Sequence, residues 1–171
     1  MKIAILRFLF LNHKGFLILF IEYSKYVDFT INLIKKEIDT LQKKFINPET
    51  MPPTFGYSHV VEVSNAKRTI YISGQVAINT DGQIVGVGDL AIQTRQVFEN
   101  IKGALETSEL KFNDVVKLTF FLTDISQMAI VRDIRDQYID TKNPPASSAV
   151  EVRKLINDNL LIEIEAIAVA N

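Results

Sequence analysis

Six stretches of the chain beyond residue 50 alternate apolar and polar residues or are rich in β-branched residues, and both patterns predict β-strands. They cover residues 59–63, 69–73, 75–79, 115–123, 147–152 and 160–169. Asp81 and Gly82 follow the third stretch, and an Asp-Gly pair is a strong signal for a tight hairpin turn. This part of the chain is therefore expected to be mostly strands joined by short turns.

Two stretches between these strands show the three- and four-residue spacing of amphipathic helices. The first follows Asp89, a residue type that caps helix N-termini, and runs to about Thr107. Its mostly apolar stripe contains Leu90, Thr94, Val97, Phe98, Ile101 and Leu105. The second runs from Ile125 to about Ile139. Its inward positions are Met128, Val131, Ile134 or Arg135, and Tyr138.

The predicted order of elements is β-β-β-α-β-α-β-β, which indicates an α+β fold with one mixed sheet of about six strands and two helices on one face. In the last strand the helix-facing residues are Ile162, Ile164, Ala166 and Ala168. The opposite face of that strand carries Glu163, Glu165, Ile167 and Val169. A face that mixes carboxylates with apolar residues should not lie bare in water, so we expect other copies of the chain to cover it.

Residues 1–42 are apolar and basic, and we separate them as an N-terminal extension from a domain at 43–171. A stripe of Ile31, Ile34, Ile38, Leu41 and Phe45 predicts a helix there. This helix would pack on its own domain or on a partner subunit, since a coiled coil needs more heptads than the stripe contains. The alternative is that much of the segment is a translated upstream tail.

The opening segment does not have the pattern of a membrane span or a secretory signal. Its longest uncharged run lies between Lys14 and Glu22, whereas a span needs about 20 apolar residues. Arg7 interrupts the earlier apolar run, and no small-x-small cleavage site follows. We therefore expect a cytoplasmic protein with no membrane partner.

Composition and charge exclude several classes of site. The 171 residues include no Cys and only two His, which excludes disulfides and thiolate metal sites and argues against a multi-histidine centre. The net charge is −1, so composition gives no electrostatic reason to expect a nucleic-acid partner. The glycines at 82–88 lack the lysine and the spacing of nucleotide-binding loops. Neither a thiolate or multi-histidine metal centre nor a nucleotide-binding loop is therefore expected.

Several short motifs resemble those of the RidA/YjgF family of reactive intermediate (imine) deaminases. They are Tyr-Ser-His at 57–59, Ser-Gly-Gln at 73–75, GDLAIQTRQVFENIKGALE at 87–105, VVKLTFFLTD at 115–124, PPASSAVEV at 144–152 and IEIEAIAV at 162–169. The resemblance covers residues 45–171 in order. It implies a chorismate-mutase-like α+β fold and a homotrimer with three clefts between subunits.

The resemblance also implies an activity and a set of site residues. Active members hydrolyse enamines and imines to 2-keto acids and ammonia without metal or organic cofactor. The catalytic glutamate of the family falls on Glu163, and the aromatic residue near the first strand falls on Tyr57. The Ser-Gly pair of the cleft wall falls on Ser73 and Gly74.

Two positions depart from the pattern of the active family. The arginine that clamps the substrate carboxylate is replaced by Ser147, and the asparagine of the second helix falls on Arg132. A serine donates one neutral hydrogen bond, whereas an arginine fork neutralises a carboxylate and binds both of its oxygens. Either Arg132 supplies the missing cation for an imine or keto-acid-like ligand, or the protein is a non-catalytic homologue that binds a small ligand or a partner.

Overall fold

The computed structural model describes residues 23, 25–34 and 40–171. The chain divides into two units, Met1–Thr40 and Leu41–Asn171. In the first unit residues 25–34 are helical, which agrees with the start of the predicted N-terminal helix. Position Ile38 of that stripe and the segment analysed for secretion lie outside the described residues. No helix of the described ranges combines the length and the apolar character that crossing a membrane requires.

The predicted helix is wrong at its end, because Gln42–Ile46 forms strand β1. This strand pairs antiparallel with β2, Val60–Ser64, and Phe45 lies opposite Val61. Exposed and half-buried residues alternate along β1, so its side chains follow the two-residue period of a strand. Pairing with a distant strand therefore overrides the local helical spacing of Leu41 and Phe45.

The larger sheet has four strands in the order β3-β6-β4-β5. They are β3, Arg68–Val76; β4, Val115–Leu122; β5, Ala146–Glu151; and β6, Ile162–Ala170. β6 pairs antiparallel with β3 and with β4, whereas β4 and β5 run parallel. The sheet is mixed, and β3 and β5 are its edges.

The two predicted helices are present and cover one face of this sheet. Helix α1 spans Leu90–Thr107, and the Asp89 side chain caps it by accepting a 3.0 Å hydrogen bond from the Ile92 amide. A 3-10 turn at Ile125–Gln127 leads into helix α2, Met128–Arg135, which packs on α1. All six residues of the predicted α1 stripe are buried, together with the predicted helix-facing residues of β6. The core between helices and sheet is thus the one that the apolar pattern predicts.

The six strands lie in two sheets rather than in the single sheet that we predicted. β2 ends at Ser64, and the chain then turns through Asn65, whose φ is 60°. The Lys67 amide donates to the Ala170 carbonyl, and from Arg68 onward β3 follows β6. The turn therefore redirects the chain, so that β1 and β2 pair with each other and not with the larger sheet. The α+β class and the order of elements are confirmed. Two of the individual strands differ: β1 was not predicted, and the predicted strand at 69–73 and the start of that at 75–79 form the single strand β3.

Candidate functional site

Glu163 and Gly74 are in direct contact at one edge of the larger sheet. The register between β3 and β6 shifts between Ile72 and Gln75, which leaves Ser73 and Gly74 in a β-bulge. A Cβ atom on Gly74 would overlap Glu163 Oε1 and would lie 2.7 Å from Glu163 Cδ. The bulge therefore brings the backbone of β3 close enough for the carboxylate to rest on it. We refer to Ser73, Gly74 and Glu163 as the carboxylate cluster.

The Glu163 carboxylate is half-buried on the face of the sheet that the helices leave uncovered. Within the described ranges it makes no ion pair and no hydrogen bond. A fixed carboxylate without a partner is able to accept a proton from a bound water and to return it. The same face carries Tyr71, which is 77% exposed, and Val150, which is 45% exposed.

Tyr57 and Ser147 lie on two paired segments at the opposite edge of the sheet. Ser58 forms a parallel bridge with Ala146, and its hydroxyl donates a 2.7 Å hydrogen bond to the Pro144 carbonyl. This bridge places the neighbour of Tyr57 beside the neighbour of Ser147. The ring of Tyr57 packs edge-on against His59, with centroids 5.4 Å apart. We refer to Tyr57 and Ser147 as the aromatic cluster.

Within one chain the two clusters do not meet. Phe121 of β4 pairs with Glu163 of β6 on one side and with Val150 of β5 on the other. Val150 is three residues along β5 from Ser147. Two strand spacings and three residues along the strand place the Cα atoms of Glu163 and Ser147 roughly 14 Å apart. Ser147 also pairs with Leu118, so it belongs to the helix-covered face, opposite to Glu163. One chain alone therefore does not bring all the predicted site residues to one cleft.

Arg132 is exposed on α2. A cavity of about 230 Å³ lies elsewhere, and none of the predicted site residues lines it. Its lining residues are Lys43, Phe45, Phe112, Asn113, Val115, Asp140, Asn143 and Pro145. No cluster of three His, Asp or Glu side chains with the arrangement of a metal site occurs among the described residues.

Sequence analysis missed two residues that adjoin the clusters. Gln93 is fully buried; its amide donates to the Gly86 and Asn159 carbonyls and its Oε1 accepts from the Leu161 amide at 2.8 Å. It therefore fixes the chain two residues before Glu163. The feature of the sequence that could have indicated this role is a glutamine next to the apolar stripe of α1. The second residue, Arg135, was recognised only as an alternative inward position.

Comparisons with known proteins agree with this fold. The protein-family model described as Endoribonuclease L-PSP matches residues 48–170. A RutC family protein of Pyrococcus abyssi is 38% identical over 129 residues, which cover 75% of this chain and 98% of that protein. A 2-iminobutanoate/2-iminopropanoate deaminase of Dermatophagoides farinae is 32% identical over 128 residues, covering 74% of this chain and 96% of that protein.

A solved structure has the same architecture. It is a protein of the conserved Rid family, YyfB from Yersinia pestis, with a TM-score of 0.68 and 39% sequence identity. The match covers 75% of this chain and 98% of that chain.

Proposed function

Because the chain belongs to the YjgF/RidA family, we propose that it is a homotrimeric hydrolase that converts enamine and imine intermediates to 2-keto acids and ammonia. The observation that carries the proposal is the Glu163 carboxylate, held against Gly74 without a partner of its own within the described residues. The similarity to a 2-iminobutanoate/2-iminopropanoate deaminase supports the same substrate class.

The proposed reaction requires one group that moves protons. Glu163 accepts a proton from water as the water oxygen forms a bond to the imine carbon, and the imine nitrogen takes a proton from solvent. The carbinolamine then collapses: the C–N bond breaks, Glu163 gives its proton to the departing ammonia, and the hydroxyl group releases its proton to solvent as it becomes the keto group. A positioned acid-base group contributes about 10²- to 10⁴-fold to such a reaction.

We propose that each site lies between two subunits. The carboxylate cluster and the aromatic cluster lie at opposite edges of one sheet, so joining edges of neighbouring chains would complete a cleft. The exposed Tyr71 on the uncovered face supports burial of that face in a trimer. Ser73 and Gly74 would form the wall beside Glu163, with Tyr57 and Ser147 on the neighbouring chain.

The first test is hydrolysis of 2-iminopropionate, generated by an amino-acid oxidase and trapped with semicarbazide. We expect the wild type to accelerate pyruvate formation and Glu163→Gln to lose at least about 10²-fold. Glu165→Gln is the matched control, because this exposed carboxylate lies two residues along the same face. Equal activity of wild type and Glu163→Gln would contradict the proposed role of Glu163.

Mixing subunits tests the shared site. Glu163→Gln and Tyr57→Ala chains are unfolded, mixed in equal amounts and refolded. If each site takes one cluster from each of two chains, every mixed trimer regains one wild-type site, and about a quarter of wild-type activity returns. If each site lies within one chain, no activity returns.

Ser147 supports a second candidate function, a non-catalytic homologue that binds a small ligand or a partner. Its hydroxyl donates only a long 3.4 Å hydrogen bond to the Pro145 carbonyl and carries no charge. If the wild type is silent and Ser147→Arg gains activity, the framework is intact but serves another ligand. Silence of both proteins, with stabilisation against heat by keto acids, would favour the binding function.

A further inference from the structure

The side chain of Arg135, at the end of α2, is almost completely buried with 3% of its surface exposed. Its Nε and Nη2 atoms donate to a single oxygen, Asp136 Oδ1, at 2.9 and 2.8 Å. Asp136 itself is 43% exposed. Burying a guanidinium is costly unless charges and hydrogen bonds compensate it, and one oxygen of a half-exposed carboxylate engages few of its five donors.

The Nη1 atom of Arg135 is the open end of this group. Among the described residues it makes no hydrogen bond. Every fully buried side-chain nitrogen or oxygen of the described residues has a hydrogen-bond partner. Nη1 is therefore not fully enclosed by the described residues. A nearly buried cation whose Nη1 N–H groups lack a partner is an arrangement that suits an anion.

The guanidinium lies directly beneath the loop of the aromatic cluster. Gly56 has a φ of +73°, and a Cβ atom there would overlap Arg135 Nη2 and lie 3.2 Å from Cζ. Gly56 immediately precedes Tyr57, and the Ser58 amide donates to the Pro145 carbonyl at 3.3 Å. The cation is thus held at the edge of the sheet where the segment of Tyr57 pairs with that of Ser147.

We propose that Arg135 forms a carboxylate-binding subsite of the aromatic cluster, with Nη1 as its entrance. This inference rests on the proposed function and assigns to Arg135 the recognition of the carboxylate group of its 2-imino and 2-keto acids. Ser147 would then not have to neutralise the charge of the ligand. Because Nε and Nη2 are directed to Asp136, the N–H groups of Nη1 remain to donate to a carboxylate oxygen.

Binding of pyruvate and of pyruvamide, its uncharged analogue, tests the proposal by calorimetry on the full chain. We expect wild type to bind pyruvate at least about tenfold more tightly than pyruvamide, since a charge-assisted pair is lost with the amide. Arg135→Gln should remove this preference, and Arg135→Lys should restore part of it. Arg153→Gln, at an exposed position of the β5–β6 loop, is the matched control and should keep the preference.

The proposal is overturned if wild type binds both compounds equally, or binds no pyruvate at millimolar concentration. Both results are measured on the wild type, so the proposal can be tested even if Arg135→Gln does not fold. It is also overturned if Arg132→Gln removes the preference and folded Arg135→Gln retains it. Binding is measured separately from hydrolysis, so a protein that binds pyruvate through Arg135 and hydrolyses nothing overturns only the deaminase function.

Discussion

The carboxylate of Glu163 occupies the volume in which a side chain of residue 74 would lie. A Cβ atom on Gly74 would come within 2.7 Å of Cδ and 3.0 Å of Cγ, and it would overlap Oε1. Gly74 is not among the glycines with positive φ, so the close approach and not the backbone conformation requires glycine here. The position of the carboxylate therefore depends on the absence of one methyl group in the adjoining strand.

Gly74→Ala should impair the reaction more than the fold. The methyl group displaces the flexible end of Glu163, so we expect hydrolysis of 2-iminopropionate to fall at least about tenfold, as for a misplaced acid-base group. Gly103→Ala is the control, since a Cβ atom there meets nothing within 4 Å. It should stabilise α1 by about 0.5–1 kcal/mol and leave activity unchanged. Wild-type activity in Gly74→Ala would show that the reaction does not require the Glu163 carboxylate in its present position against residue 74.

Gln93→Leu should destabilise the protein strongly. The substitution leaves the Leu161 amide and two carbonyl groups without their partner in a partly buried region around the fully buried Gln93 side chain. We expect the free energy of unfolding to fall by about 2–4 kcal/mol, measured by urea denaturation. Gln96→Leu serves for comparison, because among the described residues the Gln96 side chain bonds only Asn100, one turn along the same helix. Equal losses in the two variants would contradict the specific role of Gln93.

Tyr138 should make the stability of the domain sensitive to alkaline pH. Burial, and then its 2.7 Å hydrogen bond to Glu99, raise the pKa of Tyr138 from 10.0 to about 12. A group whose pKa is higher in the folded state contributes stability below its unfolded pKa and loses it as the pH rises through the folded value. Stability should thus fall between pH 10 and pH 12. Tyr138→Phe should lose less in this range, and a titration of phenolate absorbance checks the assignment.

Asp124 should make the stability of the domain sensitive to acid pH. Its carboxylate accepts hydrogen bonds from the Ser126 hydroxyl, the Gln127 amide side chain and the Ser126 backbone, which together lower its pKa below 3.8. The stabilisation is therefore fully present above pH 3.8 and is lost as the pH falls through the lower folded value. Asp124→Ala should be less stable than wild type at neutral pH, and the difference should shrink in acid.

Local patterns predicted the first helix of the domain well, and they placed the second, although its α-helical part covers only Met128–Arg135 of the predicted 125–139. The stripe of α1 and its cap at Asp89 are properties of consecutive residues, and the structure confirms both. The alternation along β6 likewise placed Ile164 and Glu163 on opposite faces correctly. These features depend on short-range geometry, which the sequence contains directly.

Long-range features were not predictable in the same way. Pairing with β2 turned Gln42–Ile46 into a strand against its helical spacing. The distance between Glu163 and Ser147 depends on strand order, which alternation does not determine. Burial of Arg135 was ambiguous because Ile134 beside it fits the same face, and the structure buries both. The resemblance supplied the residues of the site, whereas the sheet determined which of them can meet.

The bulge at Ser73 and Gly74 has a consequence for changes in chain length. Before it, Ile72 pairs with Ala166, and after it Gln75 pairs with Ile164, so two residues of β3, Ser73 and Gly74, lie opposite one residue of β6. Deleting one of these two residues would leave both pairs in place as part of a regular ladder, with the side chains on either side of the bulge on their present faces. A deletion elsewhere in β3 would instead shift the pairing by one residue and move a whole row of side chains to the opposite face. The bulge is therefore the place in this strand where the number of residues can fall by one without reversing a face.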